Sequence, residues 1–231
     1  MIHYHGSPIT SCYVALQVFK ARHAFISFAD TRDISLAARV CQSFALDNGA
    51  FPAWKSGKTV DFDKYSNWVS EWWTHPGFDF CVIPDVIDGN EEDNDKLLDN
   101  WRFPKNASAP VWHLHESIER LERLAKAYPR ICLGSSGEYS AVGNKSWWLR
   151  MDEALEAITT EGRPICKLHG LRMLNPAVFS KLPLSSADST NVARNHKDLK
   201  RAGHYIILDR IESVNSASRW VRSDYIEGGL F

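Results

Sequence analysis

Short apolar runs recur along the chain at 2–5, 25–28, 44–46, 80–83, 111–114, 131–133, 165–168 and, more weakly, 184–187. Each passes at once into polar or glycine residues. These are His5-Gly6, Ala29-Asp30, Asp47-Asn48-Gly49, Pro84-Asp85, His115-Glu116, Gly134-Ser135-Ser136-Gly137, His169-Gly170 and Asp188-Ser189. Between the runs, helical spacing covers part of 34–44 and the stretches 65–74, 91–101, 117–128 and 145–160. In 117–128 it aligns Ile118, Leu121, Leu124 and Ala125 on one stripe, with Ser117 as N-cap and Arg120 on the flank.

Strand and helix alternating in this rhythm predict parallel α/β architecture. Eight units with reactive groups at the strand ends predict a compact (β/α)8 TIM-like barrel, whose site opens at those ends. About 190 residues for eight units is below the usual ~250, so several helices must be short or missing, particularly after Pro8 and Pro176. A doubly wound open sheet of six or seven strands is the rival fold. No GxGxxG or Walker-type glycine pattern occurs. The expected division is one barrel over 1–203 and a C-terminal extension, 204–231, packed on it. Within the last part, 191–202 carries Arg194, His196, Lys197, Lys200 and Arg201 and reads as a closing helix. The run 205–211 reads as a strand or buried turn outside the barrel. The remainder reads as peripheral packing or a partner contact anchored by Trp220, Tyr225, Leu230 and Phe231.

The chain has 231 residues, 44% hydrophobic, and a formal net charge of -1. That composition excludes a disordered or fibrous protein, and no basic arm or acidic block marks a nucleic-acid or membrane partner. Cys12, Cys41, Cys81, Cys132 and Cys166 show no CxxC spacing, so a disulfide framework or zinc knuckle is not expected. The N-terminus has no leader pattern and no run is long enough to span a membrane. A cytoplasmic protein with no membrane partner is expected.

Candidate chemistry lies in the aspartates just past the buried runs. Asp47 precedes Asn48-Gly49, and Asp85 and Asp88 follow Pro84. Asp188 is ringed by hydroxyls able to keep it ionised, as a nucleophile requires. Each aspartate has a plainer alternative as a turn or helix cap. Two carboxylates from strands three and eight can face one substrate across a barrel mouth, the minimal kit for a nucleophile and a general acid/base.

Leu46-Asp47-Asn48-Gly49-Ala50-Phe51 resembles the Asp-Ser-Gly-Gly-Phe motif of the tRNA-guanine transglycosylase superfamily, which includes relatives acting on 7-deazaguanine in DNA. Further landmarks follow in the family's order. Pro84-Asp85 resembles its purine-recognising aspartate. Ser135-Ser136-Gly137 stands for its Gln-Gly-Gly loop and His169-Gly170-Leu171 for its Gly-Gly-Leu loop. Asp188, with Asn191, Ala193 and Arg194, resembles its nucleophile segment. The resemblance spans about 40–195 and implies a pentosyltransferase acting on the N-glycosidic bond of a nucleotide in DNA or RNA. Asp188 would be the nucleophile and Asp47 the general acid/base. Asp85, Asp88, Asn48, Gly49, Ser135, Ser136, Gly137, His169, Gly170 and Arg194 would bind substrate. No cofactor is expected, and the family's zinc site near the C-terminus is absent.

A second reading uses histidines. His3 and His5 share one strand face and His113 and His115 another. With His169 and Asp188 they resemble an amidohydrolase-type metal centre, so a metal-dependent hydrolase using His3, His5, His115 and Asp188 is the alternative. Another barrel or α/β enzyme is a third, and a non-catalytic phage or plasmid accessory module that binds a nucleic acid or protein a fourth. Trp68, Trp72, Trp73, Trp147 and Trp148 are expected to supply core, with any exposed member at the mouth able to stack on a base. Lys55, Lys58, Arg102, Lys105, Lys145 and Arg150 are either phosphate contacts or solvated charges.

Overall fold

The apolar runs form strands because their centres are buried on both faces, as in β2 (His23–Ser27) and β3 (Ser43–Asp47), where Ala24, Phe25, Ile26, Phe44, Ala45 and Leu46 are all inaccessible or nearly so. A computed structural model of the protein describes residues 1–196 and 203–222. The main sheet contains in addition β1 (Ile2–Gly6), β4 (Phe78–Val82), β5 (Ser108–Ala109), β6 (Val111–His113), β7 (Arg130–Gly134), β10 (Lys167–Gly170) and β11 (Ser186–Ser189). A two-stranded hairpin, β8 (Thr159–Thr160) with β9 (Arg163–Pro164), lies apart from it.

The strand order is β5-β4-β3-β2-β1-β11-β10-β7-β6, and every pairing in it is parallel. Its two ends, β5 and β6, are halves of one extended segment broken at Pro110, which has no N–H to give a neighbour. The first half pairs with β4 and the second with β7, so the sheet returns on itself as an eight-stranded barrel. Each of the eight strands overlaps one of the eight apolar runs of the sequence.

Helices cover the outside: α1 (Cys12–Phe19), α2 (Ile34–Val40), α3 (Ala50–Lys55), α4 (Phe62–Trp72), α5 (Glu91–Asp99), α6 (Ile118–Ala127), α7 (Lys145–Ile158), α8 (Pro176–Phe179), α9 (Asn191–Asn195) and α10 (Gly203–Glu212). Several are only one or two turns long, which is how the barrel fits the chain. Side-chain caps start them where the sequence supplies a short polar residue, including Asp61, Asn90, Ser117 and Asn144.

Two apolar layers result. Inside the barrel lie Tyr4, Phe25, Ala45, Phe80, Val82, Ala109, Val111 and Cys132. Outside, the strands pack on the helices through Phe19, Phe44, Leu46, Tyr65, Trp112, Leu121, Trp147, Leu155 and Phe179 among others. The interior is floored by a polar group in which the Tyr4 hydroxyl donates to Asp79 at 2.5 Å and Arg130 pairs with Asp79 at 3.0 Å.

Two expectations are corrected. The stretch 205–211 belongs to α10 and is no strand; His204, Ile207, Leu208 and Ile211 are buried at helical spacing while Tyr205 and Ile206 face out. The last strand is Ser186–Ser189 and not 184–187, which puts Asp188 inside it. Arg120, placed on the flank of the apolar stripe, is itself buried and paired with Glu116 and Asp95. Lys197, Lys200, Arg201, Tyr225, Leu230 and Phe231 lie outside the described residues. Among those described, no helix is long and apolar enough to cross a membrane.

Candidate active site

Parallel pairing decides which side chains look into the barrel. Tyr4, inside it, is in register with Asp188, and its neighbour His3 with Ala187. Alternation therefore turns Asp188 inward and both His3 and His5 outward. His3 rests on Phe179 of α8, ring centroids 5.3 Å apart, and His5 Nε2 meets Glu212 of α10 at 3.0 Å. The metal centre built on His3, His5, His115 and Asp188 is thereby overturned, because the first two histidines point away from Asp188 into the helical layer.

At the C-terminal ends of the strands a cavity of about 500 Å³ opens. Asp47, Asp85 and Asp188 all line it, as do Asn48, Ser135, Ser136 and Arg194. Its apolar wall includes Phe25, Phe51, Val82, Ile87 and Leu171. Five proposed site residues are not among its lining. Asp88 is exposed and accepts from Trp54 Nε1. Gly49, Gly137 and Gly170 shape backbone, and His169 is buried behind Asp188.

Asp47 ends β3 and is held by local chain geometry. Its Oδ2 accepts from Ser27 Oγ at 2.7 Å and from Gly49 N at 3.3 Å. Gly49 has φ +77°, and a Cβ there would lie 2.9 Å from Ala29 N, so the turn that aims Asp47 requires glycine. Burial pushes the Asp47 carboxyl up to about 7; the charges of Asp188 and Asp85 add to this, and the bonds from Ser27 and Gly49 oppose it. Near neutrality the group carries a proton it can donate and take back.

Asp85 is fixed on both oxygens. Asn48 Nδ2 donates to Oδ1 at 2.6 Å and His113 Nε2 meets Oδ2 at 2.9 Å. Asn48 is itself held, donating to the Ile83 carbonyl at 2.9 Å and accepting from Ala50 N at 2.8 Å. Each carboxylate oxygen keeps a further lone pair for donors arriving from the cavity.

Asp188 takes a bond from the backbone N–H of Arg172 on Oδ1 at 2.9 Å. Arg172 has φ +60°, and its guanidinium donates to the Ser135 carbonyl at 2.6 Å. Sequence reasoning missed this residue, since Leu171-Arg172 carries no glycine or asparagine to advertise a left-handed turn. Ser27 was missed too, its only signal being the end of a strand beside that of Asp47. Ser135 accepts from Trp147 Nε1 at 2.9 Å, and Ser136 bonds the His115 ring at 2.8 Å.

Three of the six named cations have other work. Arg102 bonds the helix carrying Ser66 and Ser70, Lys105 lies over Tyr128, and Arg150 donates to the carbonyls of Leu114 and Glu116. The arginines that line the cavity are Arg172 and Arg194. At the rim, Trp54 is exposed beside Phe51, their ring centroids 5.7 Å apart.

No protein-family model matches the chain, and no curated protein matches it. A solved structure from Aquifex aeolicus VF5, described as a structural study of a project target, superposes with a TM-score of 0.51 at 10% identity, covering 94% of this chain and 93% of that one. At that identity the likeness is one of fold, a TIM-like barrel. Buried charged groups converging on the strand-end mouth of such a barrel have the make-up of an enzyme active site.

Proposed function

We propose that the protein is a glycosyltransferase that exchanges guanine or a 7-deazaguanine at the N-glycosidic bond of a nucleotide in DNA or RNA. One observation carries the reading: Asp47, with its carboxyl raised to about 7, and Asp188, held by an N–H donor, line one cavity with Asp85 fixed between two donors. Two carboxyl groups held in different environments are suited to different protonation roles.

In this scheme an Asp188 oxygen attacks C1′ as the C1′–N9 bond breaks, its electron pair leaving with the base. Asp47 delivers its proton to the departing base, and an ester joins Asp188 to the sugar. The incoming base attacks C1′ through its ring nitrogen, its proton passes to Asp47, and Asp188 departs as carboxylate. Asp85 accepts from the N–H donors of the purine edge. Trp54, exposed beside the half-buried Phe51, offers stacking surface to a neighbouring base.

The test is incubation of the protein with labelled guanine or a labelled 7-deazaguanine and guanine-containing oligodeoxynucleotides or oligoribonucleotides. Label should enter one polymer with the wild-type protein and not with Asp188→Asn. Absence of both incorporation and base release, with folded protein, would overturn the reading.

A further inference from the structure

His169 is fully buried, and the chemistry above leaves it unused. Its ring stacks on Phe25 at 5.1 Å and meets Phe80 edge-on at 5.1 Å, inside the barrel and directly beneath the cavity. Nδ1 is bonded to Ser186 Oγ at 2.8 Å, and Ser186 is also fully buried. Nε2 faces Asp188 Oδ1 at 3.4 Å and, among the described residues, has no hydrogen-bond partner. An unpartnered polar atom sealed in an apolar shell and aimed at the carboxylate calls for a role.

The surroundings fix its proton. Burial lowers the His169 pKa, with Asp188 opposing, so the ring is neutral and carries one N–H. A lone pair on Nε2 facing the Asp188 carboxylate would repel it, whereas an N–H there attracts it. The Ser186 hydroxyl can donate to Nδ1, which leaves the hydrogen on Nε2. Arg172 N and His169 Nε2 then address the same oxygen, Oδ1, and Oδ2 is left to bond carbon.

We infer that His169 is a positioning residue whose Nε2–H closes onto Asp188 Oδ1 during turnover, holding Oδ2 as the attacking atom and stabilising the carboxylate as it leaves the sugar. This rests on the proposed transferase reading. Gaps of this size in an empty site close when the reacting groups are engaged. In the ester, Oδ1 is the carbonyl oxygen; as the C1′–Oδ2 bond breaks, the bonding pair returns to the carboxylate and negative charge spreads onto Oδ1. Two donors on that atom favour the free carboxylate over the ester, so they speed the second half of the cycle.

The experiment compares wild type with His169→Leu, His169→Gln and Ser186→Ala, each checked for folding by circular dichroism. With a guanine-containing oligonucleotide and labelled guanine in excess as the incoming base, His169→Leu should release about one equivalent of base in a burst, build up the glycosyl ester detectable by intact-protein mass, and exchange base about tenfold more slowly. His169→Gln, which keeps a donor near Nε2, should recover most of the rate. Ser186→Ala, which frees the tautomer, should fall between. Wild-type turnover without ester in a folded His169→Leu would overturn the inference.

A second measurement is independent of any reaction. The carbon-13 NMR signal of the Asp188 carboxyl should shift in His169→Leu relative to wild type and return toward it in His169→Gln. An unchanged signal would overturn the contact itself. If no polymer is a substrate but the signal moves, the transferase reading fails while the His169–Asp188 contact stands.

Discussion

The guanidinium of Arg172 lies 4.0 Å from the centre of the Phe51 ring, although the two residues leave the sheet from β10 and β3, four places apart in a ring of eight. A side chain from one wall of the barrel thus reaches the opposite wall and spans the mouth. It does so from a left-handed backbone position, φ +60°, that a residue with a Cβ adopts at a cost. Arg172→Gly and Arg172→Ala both remove the span, and differ only in that backbone. The glycine variant should be the more stable by about 1 kcal/mol in chemical denaturation. Both should raise KM for an oligonucleotide about tenfold, since the guanidinium is the kind of donor that holds phosphate.

Asp47 predicts a pH dependence in two measurements. Its carboxyl titrates near 7 in the fold against an ordinary value of 3.8, so the folded state binds the extra proton between those limits. Stability from this group is full below pH 3.8 and is lost as pH rises through 7. Asp47→Asn should therefore be more stable than wild type at pH 8, on the order of 1–2 kcal/mol, with the gain vanishing toward pH 4. Base release by the wild type should fall above pH 7 as the acid form is lost, and Asp47→Asn should lose that limb along with most of its rate. Thermal melts and a pH–rate profile check the two halves separately.

Much of this architecture is legible in the amino-acid sequence. Runs of apolar residues that stop at Asp, Gly or Ser mark parallel strands feeding a mouth, and Asp47, Asp85 and Asp188 follow from that pattern. Parity along β1 is not legible. In a barrel covered on both sides, Ile2-His3-Tyr4-His5 meets buried surroundings in either direction, so alternation gives no hint that Tyr4 rather than the histidines looks inward. The strand Ser186–Ser189 is polar in sequence because its partners are polar: Ser186 bonds His169, and Asp188 bonds Arg172. Tyr205-Ile206-Ile207-Leu208 reads as strand by residue type, and only its packing makes it helix.

The clasp of α10 onto the barrel is expected to weaken in acid. Burial raises the Glu212 pKa, but bonds from His5 and Arg22 outweigh it and hold the carboxyl at about 2. A depressed carboxyl stabilises above its ordinary value of 4.5 and loses that contribution as pH falls toward 2. His3 acts in the adjoining window: burial, helped by the N-terminal and His5 charges, lowers it to about 4, so stability falls as pH drops from 6.5 to 4. Glu212→Gln should flatten the lower window, and His3→Asn the upper, in melts taken from pH 7 to 2.5.

Glu116 and Arg120 form a buried pair at 2.6 Å on the β6–α6 connection. Glu116 also accepts from Asn94 Nδ2 and from His113 N, the residue that holds Asp85. Arg120→Met leaves that carboxylate without its counter-charge and should cost about 3–5 kcal/mol in urea unfolding. Adding Glu116→Gln should restore a large part of the loss. A single variant that melts with wild type would mean the pair contributes nothing.

Pro110 bears on a hazard common to sheet proteins. Open sheets end in rows of unpaired amides that recruit strands from other molecules, and they need charges or covering loops to prevent it. Here the one break in the ring falls within a single extended segment whose halves each find a neighbour. The carbonyls on either side of the break are taken, Ala109 O by Ile83 N at 2.9 Å and Pro110 O by Cys132 N at 2.8 Å. Among the described residues the main sheet thereby has no free border, which removes the usual template for strand-by-strand aggregation despite thin helical cover.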